Sequence, residues 1–250
     1  PKPVSTDTCD VTGPGVFTFH LVEMPATATL PLLHRPPRTG RVAGLRYAEC
    51  LSLMRLGAPT VSPDRLQLRR LAMFARWDDE DAIDQFLAGP GARFASGWHV
   101  RMTFLRRWST LAALPDLPQQ ADASDDDEPV VAVTLARMRL PEVPRFLTWG
   151  KPVERLVRDH PDATLALAAM RPPRSISTFS IWSSVRAMTD MVHGRGGVAG
   201  LTDPARHADA MAERRRRDFH HEFATYRFRP LSEHGSWNGR TGYVPRRSSL

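Results

Sequence analysis

The chain has 250 residues, of which 42% are hydrophobic and 24% charged. This composition indicates a folded globular protein, large enough for one large domain or two small ones, and excludes a disordered or fibrous chain. Two cysteines, Cys9 and Cys50, are too few for a disulfide framework or a four-thiolate metal site, so cysteine chemistry is largely excluded.

The net charge is +7 and comes almost entirely from arginines spread along the chain, which does not favour nucleic-acid binding by a clustered patch. The one dense run, Arg214–Arg217, falls in a predicted helix. The simplest interpretation is that these arginines form a solvent-exposed helix face. The functional alternatives are that they contact an anionic membrane surface or an anionic cofactor. The longest nearly apolar run, Leu165–Met170, is far shorter than the roughly 20 residues that span a bilayer, and no signal-peptide pattern is found. We expect a cytoplasmic protein, with peripheral membrane association as an option.

The first half of the chain, residues 15–114, follows a flexible N-terminus of residues 1–14. Its predicted strands are Phe17–Met24, Leu45–Met54, Leu71–Trp77 and Trp98–Phe104. The segment Ala26–Gly40 is expected to hold only a fragment of helix, because it carries three prolines. Asp78–Phe86 has the acidic start and the apolar spacing of a helix N-terminus.

An acidic, proline-containing linker at residues 115–129 separates this half from a second one at residues 130–240, which is followed by a tail at residues 241–250. The predicted strands of the second half are Val131–Met138, Thr164–Met170, Ile176–Trp182 and Phe223–Phe228. Predicted helices cover Glu142–Asp159 and Ser183–Met191, and a third begins at Thr202-Asp203-Pro204, an N-cap followed by proline at the first helical position.

The two halves match each other in sequence. Phe74 corresponds to Phe179 and Trp77 to Trp182 at one offset, and the opening strands correspond through Leu21 and Leu135. Each half has the order strand, helix, strand, strand, helix, strand, which is the plan of the ferredoxin-like fold. We therefore predict an α+β protein made of tandem ferredoxin-like repeats, with two antiparallel sheets packed face to face in the manner of a dimeric α/β barrel.

Several catalytic and cofactor motifs are excluded by their context. Gly194–Ala199 fits a dinucleotide-binding glycine pattern, but it follows a predicted helix instead of a strand. No P-loop and no nucleophile elbow is present, and His221-Glu222 lacks the second histidine of a zinc protease. Nucleotide-binding, hydrolase and zinc-protease functions therefore have no support.

Histidines are the remaining candidates for a metal ligand. Five of them are isolated and are expected to be ordinary core or surface residues: His20, His34, His99, His160 and His193. His207 lies one turn after Asp203 in the predicted last helix, where a carboxylate could orient its ring as a ligand. His207 also lies at the edge of that helix's apolar stripe, so spacing alone leaves both a ligand and a packing role open.

The second half resembles the spheroidene monooxygenase family of heme-containing carotenoid oxygenases. The matching residues, in the order and spacing of the family, are Thr178-Phe-Ser-Ile-Trp182, Arg206-His-Ala-Asp-Ala210, Phe223-Ala-Thr-Tyr-Arg-Phe-Arg-Pro-Leu231, Glu233-His-Gly-Ser-Trp237 and Gly239-Arg240. The resemblance implies a heme b held between the two halves, with His207 as axial ligand and His234 as the alternative. It also suggests that Arg174, Arg206 and Arg240 bind the propionates, since guanidinium groups suit carboxylates.

The function implied by this resemblance is a heme-dependent monooxygenase that hydroxylates or ketolates a hydrophobic, carotenoid-like substrate. We expect a substrate channel lined by Phe74, Met102, Met170 and Phe179, and an electron donor such as a ferredoxin. Two alternatives stay open: a carrier of heme or of a lipophilic molecule without turnover, and a cofactor-free basic module that binds anionic lipid or nucleic acid.

Overall fold

A computed structural model describes residues 13–55, 65–143, 145–146, 157–195, 212–213 and 216–246. Eight strands are present: β1 (Val16–Glu23), β2 (Leu45–Met54), β3 (Leu66–Trp77), β4 (Trp98–Trp108), β5 (Val130–Met138), β6 (Ala163–Arg171), β7 (Ser175–Trp182) and β8 (His220–His234). The α-helices are α1 (Ala26–His34), α2 (Glu80–Ala88), α3 (Ala92–Ala95) and α4 (Val185–Val192), and Leu140–Glu142 form a 3-10 turn.

The eight strands form one closed barrel in the order β1-β3-β2-β6-β7-β5-β8-β4. Every neighbouring pair is antiparallel. All eight predicted strands are present, and the chain contains both helices and strands. The two sheets that we expected to pack in the manner of a dimeric α/β barrel are joined edge to edge. The joints are β2 with β6, over three residue pairs, and β4 with β8. The strand order β4-β1-β3-β2 of the first half recurs in the second as β8-β5-β7-β6.

Aromatic and aliphatic side chains from alternate strand positions fill the barrel interior. Phe19 and Phe179 stack with ring centroids 3.9 Å apart, and Phe17 lies 4.9 Å from Phe228. Phe17 also stacks on Phe74 at 5.8 Å, and all five of these rings are at most 1% exposed. The interior is therefore a packed core in which rings of both halves meet.

Segments outside the strands close the two ends of the barrel. Leu111, Leu114 and Leu117, which follow β4, are buried in the core at one end, so part of the predicted linker packs against the barrel. At the other end Trp237 and Tyr243 are buried, and the Tyr243 hydroxyl donates a hydrogen bond to the Trp237 carbonyl at 2.8 Å. The predicted tail thus contributes to the core as far as the structure describes it.

The helices that the structure describes lie outside the barrel, three on the first half and α4 on the second. Helices α1, α2 and α3 pack on β1, β2 and β3 of the first half. Helix α2 begins where the Asp79 side chain accepts a hydrogen bond from the Ala82 amide, and α4 begins in the same way at Ser184. Helix α1 continues through Pro31 to His34 and is the predicted helical fragment. Most of the predicted helix at residues 142–159 and the start of the predicted helix at residue 202 lie outside the described residues. Among those described, no helix is both long and apolar enough to cross a membrane.

Gly235 offers a test of the close contact between the C-terminal segment and the barrel. Its φ is +75°, and a Cβ built there would lie 2.0 Å from the Gly97 carbonyl oxygen. We expect Gly235→Ala to lower the free energy of unfolding by about 2 to 3 kcal/mol, because it combines left-handed backbone with a clash against main chain. Gly239 also has a positive φ, of +72°, but open space around it, so Gly239→Ala should cost only about 1 kcal/mol. Urea unfolding of both variants measures the difference, and equal costs would contradict the contact.

Candidate functional site

A buried polar cluster faces the interior at the barrel end where β5 and β6 terminate. We call Tyr47, Glu49, Arg137, Arg171 and Ser177 the Glu49 cluster. Glu49 is 1% exposed, and its Oε2 accepts hydrogen bonds from the Tyr47 hydroxyl at 2.7 Å and from Arg137 at 2.5 Å. Arg171 approaches Oε1 at 2.9 Å. Burial, together with the neighbouring Glu49 carboxylate, raises the pKa of Tyr47 well above its usual value, so the tyrosine stays a hydrogen-bond donor.

The Glu49 cluster joins the two halves, because Glu49 belongs to the first half and both arginines to the second. Two guanidinium groups surround one carboxylate, which leaves one positive charge in excess. Three buried polar atoms of the cluster, Ser177 Oγ, Arg137 Nη1 and Glu49 Oε1, make no hydrogen bond within the described structure, although Oε1 is ion-paired with Arg171. A carboxylate inside an otherwise apolar strand is visible in the sequence as Glu49 in Tyr47–Met54, but the composition of that strand did not single it out.

The interior residues expected to line a substrate channel are packed. Phe74, Met102 and Phe179 are at most 1% exposed and belong to the central core. A porphyrin between the two sheets does not fit the described residues, because rings of both halves are in contact where it would lie. Met170 is placed differently: Leu167 and Ala169 face the core, so the alternation of the strand directs Met170 to the outside.

The outer surface of the second half forms what we call the small-residue face. Its residues lie in three rows across β8, β5, β7 and β6: Arg227, Ala132, Ser180 and Ala166; Thr225, Thr134, Thr178 and Ala168; Phe223, Ala136, Ile176 and Met170. Eight of the twelve are alanine, serine or threonine, and Thr178 near the centre is exposed. Strand spacing and residue rise give a face of roughly 14 Å by 13 Å.

The corresponding positions of the first half are filled and covered. By the offset that matches Phe74 to Phe179, Thr178 corresponds to Met73 and Ile176 to Leu71, both 0% exposed beneath the helices. On the opening strands Ala136 corresponds to Val22, and both are buried, at 4% and 2% exposed. In the second half α4 packs on the group formed by Leu105, Val130 and Trp182, beside the small-residue face. Among the described residues, the first half therefore buries bulky side chains under helices, whereas most side chains at the matching positions of the second half are short and Thr178 is exposed.

Three of the predicted cofactor residues fall among the described residues, and the structure places them apart from one another. His207 and Arg206 lie outside the described residues. His234 is exposed at the end of β8, where its Nε2 lies 2.9 Å from the Ser232 hydroxyl, and it points neither into the core nor onto the small-residue face. Arg174 is exposed at the β6–β7 turn, whereas Arg240 is exposed at the other end of the barrel, over the Tyr243 ring at 5.2 Å. These two arginines do not converge on one ligand.

Three histidines on neighbouring strands, His20, His99 and His234, stack on one another. We expected His20 and His99 to be isolated residues and His234 to be the alternative heme ligand. The ring centroids of His20 and His99 are 4.9 Å apart, and those of His99 and His234 are 4.7 Å apart. The Thr18 hydroxyl accepts a hydrogen bond from Trp77 at 2.8 Å and shares a second hydrogen bond with His20 Nε2 at 2.9 Å. Stacked rings do not form a chelating site, and the described residues contain no cluster of His, Cys, Asp and Glu that could hold a metal ion.

The histidine stack predicts a loss of stability in acid. Burial, and secondarily the neighbouring His234, lowers the pKa of His99 to about 4, and burial lowers the pKa of His20 well below its usual value. The unfolded chain takes up these protons near pH 6.5, before the folded chain does, so acid favours unfolding. We expect the free energy of unfolding to fall by about 2 to 3 kcal/mol between pH 6.5 and 4. Urea titrations at several pH values measure the fall; His99→Leu should reduce it, and a profile unchanged by that substitution would contradict the assignment.

Comparison with known proteins identifies the fold alone. No protein-family model matches the chain, and no curated protein matches it significantly. Among solved structures, aldoxime dehydratase in complex with butyraldoxime is 7% identical, with 89% of this chain and 81% of that chain covered and a TM-score of 0.53. A second aldoxime dehydratase structure is 8% identical over 87% of this chain and 81% of that one, with a TM-score of 0.50. A monooxygenase-like protein from Listeria innocua covers 89% of this chain and 99% of its own at 10% identity, with a TM-score of 0.29. The chain thus shares its barrel fold with aldoxime dehydratase.

Proposed function

We propose that this protein is a heme-dependent oxidoreductase that oxidises a hydrophobic small molecule with dioxygen, and that the heme lies on the small-residue face. The observation that carries the proposal is the contrast between the halves: helices bury Met73 and Leu71, while the matching Thr178 and Ile176 lie on a partly open floor. A flat tetrapyrrole needs a surface without long side chains, and these rows supply one. The packed barrel interior does not.

The residues that would hold the heme come from both the sequence and the fold. The resemblance to the spheroidene monooxygenase family suggests His207 as the axial ligand, on the helix predicted to start at Thr202. A heme held there by His207 would supply dioxygen binding and activation. The chain's own contribution is to hold the ring, through the hydroxyl and methyl groups of Thr134, Thr178 and Thr225, and to limit the access of water.

The substrate class follows from the same surface. Ile176 and Met170 form one corner of the small-residue face and offer apolar contact to a hydrophobic molecule beside the heme. The family resemblance suggests hydroxylation or ketolation of a carotenoid-like chain, with reducing equivalents from a donor such as a ferredoxin. These finer assignments rest on the resemblance.

The experiment has a spectroscopic and a structural arm. The purified protein, reconstituted with heme, should show a Soret band and should form oxygenated product only with both reductant and dioxygen. Thr178→Trp should abolish heme binding, because the indole fills the centre of the floor, whereas Thr178→Ser should bind heme like the wild type. Circular dichroism checks that the exposed substitution leaves the fold intact. Heme binding without turnover would indicate a carrier, and a wild-type protein that binds no heme, or a Thr178→Trp variant that binds it normally, would refute the proposal.

A further inference from the structure

Two arginines lie opposite each other at one edge of the small-residue face, the edge formed by the row that contains Arg227. Arg106 on β4 and Arg227 on β8 are direct cross-strand partners. Their guanidinium groups lie on the ring of Trp108, with Cζ atoms 4.3 and 4.6 Å from the ring centroid. Like charges at directly opposed strand positions are destabilising. The pairing of β4 with β8 therefore holds two positive charges close together, and their repulsion lowers the stability of the folded chain at this point.

Neither guanidinium has an acidic partner in the part of the chain that the structure describes. Arg227 reaches only the Thr189 hydroxyl, at 3.4 Å, and the buried Nε of Arg106 makes no hydrogen bond there. Burial, reinforced by repulsion from Arg106, lowers the pKa of Arg227 to about 10. An anion between the two groups would remove both the repulsion and the unsatisfied donor.

Two other arginines on the same strands have acidic partners. Arg229, two residues further along β8, pairs with Asp122 and Glu128. Arg101 pairs with Glu80 and Asp84 across β4 and α2. Arg106 and Arg227 stack on the Trp108 ring, a cation–π contact, but have no carboxylate among the described residues. A carboxylate ligand would supply the counter-charge that the chain's described residues do not.

We infer that Arg106 and Arg227 bind a propionate carboxylate of the heme that lies on the small-residue face, an inference that rests on the proposed function. Arg227 lies in the same row of that face as Ala132 on β5 and Ser180 on β7. A carboxylate held by the pair therefore leaves the attached ring over the short side chains. Guanidinium groups suit this role because their forked donors match the two oxygens of a carboxylate.

The test compares heme with heme dimethyl ester, in which the propionates are uncharged. Wild-type apoprotein should bind heme about tenfold more tightly than the ester, as expected for a charge-assisted hydrogen-bonded pair. The Arg106→Gln/Arg227→Gln variant should lose this preference while keeping its affinity for the ester. The Arg41→Gln/Arg93→Gln variant removes the same charge from exposed positions of the first half and should retain the wild-type preference. Absorption titrations with heme and with the ester measure the preference of all three proteins.

Thermal unfolding of the apoproteins supplies a second readout. Removing the opposed charges should leave the midpoint of the Arg106→Gln/Arg227→Gln variant unchanged or raised, so a lost heme preference is not a loss of folding. If the wild type binds heme and its ester equally, or if the double variant still prefers heme, the inference is wrong and the proposed function stands. If the wild type binds neither compound, the proposed function fails and the inference with it.

Discussion

Replacing His207 by alanine is expected to remove heme from the protein, with at least a hundredfold loss of affinity. The resemblance to the spheroidene monooxygenase family suggests that His207 would hold the heme iron, so under the proposed function its loss would remove a strong contact of the cofactor. Absorption titration of the apoprotein with heme measures the loss, and added imidazole should partly restore the spectrum.

His234→Ala is the matched control for this substitution. His234 is exposed and stacks on His99 at 4.7 Å, so its removal should leave both the heme content and the Soret maximum unchanged. The reverse outcome, in which His234→Ala loses heme and His207→Ala retains it, would show that the other late histidine is the ligand.

Replacing Glu49 by glutamine is expected to lower the free energy of unfolding by about 3 to 5 kcal/mol, as found when one partner of a buried ion pair is removed. The amide keeps the shape of the side chain but leaves Arg137 and Arg171 next to each other without a counter-charge at the junction of the two halves. Urea unfolding monitored by tryptophan fluorescence measures the change.

Glu23→Gln provides the comparison for Glu49. Glu23 lies 2.6 Å from Arg70, but its side chain is 59% exposed, so loss of that ion pair should cost less than about 1 kcal/mol. Adding Arg171→Gln to Glu49→Gln should recover part of the lost stability, because it removes one of the two uncompensated charges. Equal costs for the Glu49 and Glu23 substitutions would contradict the buried cluster.

Sequence reasoning placed a heme between the two halves, where rings of both halves are in contact among the described residues. A strand with alternating side chains has two faces, and the pattern of Ile176–Trp182 does not tell which face is filled by the partner sheet. Phe179 meets Phe19 inside the barrel, whereas Thr178, its neighbour in sequence, is exposed outside. Which face of the strand is buried depends on the segments that pack against each face, and those segments are distant in the sequence.

The arginine pair and the Glu49 cluster could not be predicted for a related reason. Arg106 and Arg227 are far apart in the chain, as are Glu49 and Arg137, and each residue by itself looks like an ordinary charged side chain. The signals in the sequence were weak: a glutamate within an apolar strand, and two arginines among many. Register between β4 and β8, and between β2 and the second half, decides which charges meet.

The sequence by itself determined the eight strands, the acidic start of α2, and the correspondence between Phe74 and Phe179, because periodicity, acidic helix starts and internal matches are local or repeated properties of the chain. Only the tertiary structure decided that the sheets close edge to edge into one barrel, which rings fill it, and which outer side chains the described helices cover. Those outcomes depend on strand pairing and packing between distant segments, where the free energy belongs to the contact and not to either segment alone.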